Sequence, residues 1–141
     1  MKNSRTKLII LFVLAILFTS CSTNNEENID TTEPMISIQS PQLNQTYVGY
    51  WGGAWPEADK VNLIASGVDE TGISSIKLTV INESKTVVFE KIVNSTTSSQ
   101  TELVISENFT PQEIGTYSVI FSVTDVIGNI ETSAPRTFLV E

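Results

Sequence analysis

The sequence predicts an all-β fold, a two-sheet Greek-key sandwich of about seven short strands, and three observations lead to it. From Met35 onward, apolar residues alternate with polar ones in short runs, the period of a half-buried strand. Gly, Pro, Asn and Asp punctuate these runs where tight turns need them. No window sustains the three-and-four spacing of an amphipathic helix. An up-and-down barrel is the runner-up architecture for such a pattern.

The strands are expected near Met35–Gln39, Lys60–Gly67, Ile76–Asn82, Thr86–Val93, Glu102–Asn108, Tyr117–Asp125 and Thr137–Val140. Parity assigns the inward side chains, because successive residues of a strand face opposite sides of the sheet. In the second strand these are Val61, Leu63 and Ala65, and in the third Ile76, Leu78 and Val80. The sixth strand turns Tyr117, Val119, Phe121 and Val123 inward, and the last Phe138 and Val140. The chain's only Cys lies upstream at position 21, so no internal disulfide is available and apolar burial between the sheets has to stabilise the domain.

Ahead of the strands the chain changes character. Residues 1–20 have a basic start (Lys2, Arg5, Lys7), an unbroken apolar run from Leu8 to Phe18 and small residues before Cys21, the layout of a secretion signal. The run is too short for the ~20 residues of a membrane-spanning helix. From Cys21 to Pro34 the chain is polar and acidic with no aromatic residue, and is expected to be a flexible tether. The division is therefore signal peptide 1–20, tether 21–34 and sandwich 35–141.

Composition excludes several classes of function. The 141 residues hold no His and one Cys, so imidazole bases, thiolate–imidazole pairs and His/Cys zinc sites are absent. No Gly-x-Ser-x-Gly nucleophile elbow occurs, and the acids are scattered over turns, so no catalytic residue is assigned and a small hydrolase is a remote alternative. Eight basic residues stand against sixteen acidic ones, a net charge of −8, and three of the basic ones fall in the first seven positions. Without that segment the chain carries roughly −11, which repels phosphate backbones and argues against nucleic-acid binding.

The segment Phe18-Thr19-Ser20-Cys21 resembles the lipobox of bacterial lipoproteins. The resemblance implies cleavage before Cys21 and its acylation, palmitate included, with the lipid as the membrane partner. Ser22 lacks the Asp that retains enteric lipoproteins at the inner membrane, and Glu26-Glu27 resembles the acidic stretch of Bacteroidetes surface lipoproteins, which together imply an outer-membrane, cell-surface location. Asp30-Thr31-Thr32 is similar to the sites that these bacteria O-glycosylate. Four Asn-x-Ser/Thr sequons, at Asn44, Asn82, Asn94 and Asn108, are read as products of an Asn/Ser/Thr-rich composition.

Two segments of the folded part resemble bacterial immunoglobulin-like (Ig-like) domains. Gly115 to Asn129, GTYSVIFSVTDVIGN, is similar to their penultimate strand and following turn, and Ser66 to Val80, SGVDETGISSIKLTV, to their second strand, turn and third strand. The resemblance implies an Ig-like sandwich, a fold used for spacers, adhesins and carbohydrate-binding accessories alike. A related lipoprotein layout is His-rich near the third strand, and with no His here no metal role carries over.

Two places could hold a site. The stretch Thr46 to Pro56, TYVGYWGGAWP, interleaves Tyr47, Tyr50, Trp51 and Trp55 with three glycines. Exposed rings there would bind a glycan or a surface protein, with Tyr50, Trp51 and Trp55 as the contacts; buried rings would close one end of the core. Asp69 and Asp125 each precede a Gly-containing turn, and in an Ig-like sandwich the two turns share an end. With Glu70 and Asn129 they would offer oxygens to calcium, or they close their own turns by bonding the backbone, the reading preferred here, so neither metal nor cofactor is assigned. The function expected is a lipid-anchored, non-enzymatic binding or adhesion domain, with a purely structural envelope lipoprotein as the alternative.

Overall fold

The structure, a computed structural model, describes residues 30–49 and 59–141. Cys21, Tyr50, Trp51 and Trp55 lie outside the described residues, as does the apolar run Leu8 to Phe18. No helix among the described residues is long and apolar enough to cross a membrane.

The chain forms β1 (Met35–Ser40), β2 (Gln45–Tyr47), β3 (Val61–Val68), β4 (Ile73–Asn82), β5 (Val87–Asn94), β6 (Glu102–Phe109), β7 (Gly115–Asp125), β8 (Ile130–Thr132) and β9 (Arg136–Val140). One sheet has the order β1-β3-β6; the other runs β2-β9-β7-β4-β5, with β8 paired to β7. All pairings are antiparallel except β2 with β9. Two separate sheets with free edges make a sandwich, not the barrel kept as runner-up.

The pattern of β7 shows why these residues pair as they do. Tyr117, Val119, Phe121 and Val123 are buried, while Ser118, Ile120, Ser122 and Thr124 between them face outward and are only half covered. Every inward residue expected from parity is buried, and Leu103, Ile105 and Phe109 of β6, with Ile73 of β4, complete the core between the sheets. The sheets approach closely at Gly67 in β3, where an added Cβ would stand 2.6 Å from Val123 Cγ1 of β7.

Nine strands appear where about seven were expected, and both additions have local causes. The first strand leaves its sheet at Pro41, after a cis Ser40–Pro41 bond, and rejoins the opposite sheet as β2 beside β9. The last strand is interrupted between β8 and β9, where Pro135 lacks the N–H that a ladder needs. Ser133 bridges the gap: its N–H donates to the Phe121 carbonyl at 2.8 Å, and its hydroxyl accepts the Phe121 N–H at 3.0 Å.

Candidate functional site

The sandwich has two chemically different ends. At one, the turns after β3 and β7 lie side by side with the start of the described chain. Asp125 Oδ1 accepts the N–H groups of Ile127, Gly128 and Asn129, and its Oδ2 accepts Asn129 Nδ2 at 2.7 Å. Asp69 Oδ1 accepts the Thr71 N–H at 2.8 Å, the Thr71 hydroxyl and the Gly72 N–H. These are the turn-closing bonds expected of both aspartates. The turn after β3 also requires Gly72, whose φ is +120° and whose added Cβ would meet the Ser98 carbonyl oxygen at 2.5 Å.

Asp30 caps this end. Its Oδ2 lies 2.9 Å from the Thr71 hydroxyl, whose single proton it shares with Asp69 Oδ1, and its carbonyl accepts Asn129 Nδ2 at 3.2 Å. Oxygens of Asp30, Asp69 and Asp125 thus lie within 4.8 Å of one another. Burial pulls the Asp125 carboxyl upward, but the bonds from the Asn129 side chain and the three backbone N–H groups outweigh it and hold the acid below its ordinary range. Asp30 is held low chiefly by the Thr32 N–H. Asn129 turns its NH₂ group to this cluster, donating to Asp125 Oδ2 and to the Asp30 carbonyl.

The opposite end is aromatic. Tyr47, Phe109, Tyr117 and Phe138 pack there: Tyr117 stacks on Phe138 with centroids 5.5 Å apart, and Tyr47 meets Phe138 edge-on at 5.7 Å. Tyr47, counted with the aromatic stretch in the sequence, is therefore a core residue. The Tyr117 hydroxyl donates to the Glu113 carbonyl at 2.7 Å, tying the start of β7 to the turn before it in the manner of a tyrosine corner. Burial raises this phenol above its ordinary value, so it stays a neutral donor.

The roots of the aromatic loop are pinned at this same end. Val48 and Asp59 exchange bonds: Asp59 N–H donates to the Val48 carbonyl at 2.9 Å, and Val48 N–H to Asp59 Oδ2 at 2.8 Å. Gly49 N–H donates to the Glu141 carbonyl at 2.8 Å. An added Cβ at Gly49 would stand 2.9 Å from Ile114 Cγ2, so the root lies directly against the β6–β7 turn.

Beside that turn, where the edge strands β5 and β6 part, a cleft of about 310 Å³ opens. Phe89, Phe109 and Tyr117 form its apolar wall, with successive ring centroids 5.8 and 5.6 Å apart. Asn82, Asn108, Gln112 and Glu113 supply polar groups. A second hollow of about 140 Å³ shares Asn82, Glu113 and Tyr117 with the first and extends to Ile114. Together the hollows form a groove that ends at the root of the aromatic loop.

In the sequence, Asn82 and Asn108 stand out only as strand ends that open Asn-x-Ser/Thr sequons, and Gln112 and Glu113 carry no signal. No linear spacing could have found them, because the cleft exists only where the free edges of two opposing sheets meet.

The chain has neighbours of known structure and a matching family. The chain is similar in structure to the fibronectin(III)-like modules of Clostridium thermocellum CbhA, with a TM-score of 0.50 and 18% identity over 75% of this chain and 94% of that one. It is similar to part of an engineered protein, with a TM-score of 0.50 and 15% identity over 77% of this chain and 20% of that one. The CARDB domain of a Pyrococcus furiosus protein, in complex with di-metal ions, aligns at a TM-score of 0.42 and 18% identity over 77% of this chain and 92% of that one. No curated protein sequence matches the chain. The model of the bacterial Ig-like domain family matches residues 23–141, and the chain belongs to that family.

Proposed function

We propose that this Ig-like domain is a non-enzymatic binding module, held at the outer membrane by lipid on Cys21 and displayed on the cell surface with its aromatic end outward. The observation that carries this reading is the polarity of the domain. The described chain enters at the aspartate end, where Asp30 bonds Thr71 and Asn129, while Val48 and Asp59 root the aromatic loop at the other end. A lipidated N-terminus would hold the first end toward the bilayer and leave the second facing outward. Several acyl chains, at about 0.8 kcal/mol per buried CH₂, would give stable attachment, since two lipid signals already suffice.

Two substitutions test the reading. Cys21→Ser should yield an uncleaved or soluble protein; normal processing and membrane partitioning of that variant would rule out the lipid anchor. Trp51→Ala with Trp55→Ala should abolish binding of whole cells to their glycan or protein target while shifting Tm by no more than a few degrees. Unfolding of the double variant would assign both indoles to the core and remove the binding role of the loop.

A further inference from the structure

We infer that the groove between β5 and the β6–β7 turn binds a neutral oligosaccharide. The inference rests on the reading of the aromatic end as the binding end and names its ligand class. A cleft of about 310 Å³ falls within the range of small-molecule sites, and its make-up, an apolar wall with a few polar groups, is the usual one. Phe89, half-buried beside Phe109 and Tyr117, offers an aromatic surface for the C–H face of a sugar ring.

The polar groups suit hydroxyls. Asn82 Oδ1 accepts the Thr86 N–H and Gln112 Nε2 donates to the Thr110 carbonyl, which leaves Asn82 Nδ2 as a donor and Gln112 Oε1 as an acceptor. Asn108 is exposed and adds one group of each kind. Side-chain amides that both donate and accept match a hydroxyl, which does the same.

Charge decides against an acidic ligand. Glu113 lines both hollows and Glu83 the second, neither hollow is lined by Lys or Arg among the described residues, and the chain carries −8. An acidic glycan or a phosphorylated headgroup would be repelled. Shape favours a chain of sugar units over a single one, since the two hollows share Asn82, Glu113 and Tyr117 and continue toward the loop root. A peptide strand is the weaker candidate, because only Val88 and Phe89 of β5 and Asn108 and Phe109 of β6 line the groove, too short a stretch of either free edge to pair with an added strand.

The test applies the full-length protein, in detergent, to a printed array of neutral and acidic glycans, followed by calorimetric titration with the soluble oligosaccharide of the best-bound class. Binding to neutral glycans, tighter for oligosaccharides than for the monosaccharide, is expected. Asn108→Ala combined with Gln112→Ala should weaken it at least tenfold with Tm unchanged, both side chains being exposed. Binding restricted to acidic glycans, or unchanged in that variant, would overturn the inference. If no glycan binds but the protein captures a peptide or protein in a manner that Trp51→Ala/Trp55→Ala removes, the glycan inference fails and the binding-module reading stands. If nothing binds, both fall.

Discussion

Asp125 is 1% exposed, yet its carboxylate stays ionised because four donors surround it. Its folded pKa lies below the ordinary carboxylate value, so its stabilising effect is complete above about pH 4 and is lost as the pH falls through the lowered folded value. Asp125→Asn places an NH₂ group against that of Asn129. The variant is expected to be about 1–3 kcal/mol less stable at pH 7 and to lose less stability than the parent between pH 5 and pH 2 in urea melts. Parallel pH profiles for the two proteins would show that this carboxylate does not drive acid unfolding. The turn chemistry was legible in Asp125-x-x-Gly128-Asn129, because such turns are local. The close approach at Gly67 was not, since it depends on Val123 of the opposite sheet, more than fifty residues away in sequence.

At the level of elements, β7 is the central strand of its sheet on the side that meets β4. Phe121 is fully buried, whereas Ser122 faces outward and bonds only the Thr132 hydroxyl at 3.1 Å. Phe121→Ala should cost about 3–5 kcal/mol in chemical denaturation, and Ser122→Ala less than about 1 kcal/mol. Equal, small effects would mean that the strand faces are reversed. Most of the long strands were readable because they carry their own alternation, as in β7, whose start Gly115-x-Tyr117 marked; β5, VVFEKIVN, was readable only as a short β-branched and aromatic run. The short strands β2 and β8 were not, since three residues hold too little pattern to separate from a turn. Their pairing is set by where Pro41 and Pro135 interrupt longer strands. Ile73 escaped for a related reason: it precedes an irregularity between Ile73 and Ser75 that shifts the register against β7, so simple parity does not reach it.

For the whole molecule, the two ends are separated by the length of β7, whose eleven residues span roughly 35 Å at about 3.3 Å each. Asp30 lies at the aspartate end, and Glu141, bonded to Gly49 and Tyr47, lies at the aromatic end beside the loop roots and the groove. The two ends of the described chain therefore offer handles at opposite ends of the sandwich. Protein immobilised through a tag ahead of Asp30 should present the groove to solution, whereas protein fixed through a short linker after Glu141 should have it crowded against the support. Surface plasmon resonance with the oligosaccharide attached to a bulky carrier should show at least a severalfold lower capacity for the C-terminally fixed protein, with the free oligosaccharide far less affected. Equal capacity for the carrier in both orientations would mean that binding takes place along the sides of the sandwich, or at the aspartate end, and that the polarity of the domain does not set which surface meets the ligand.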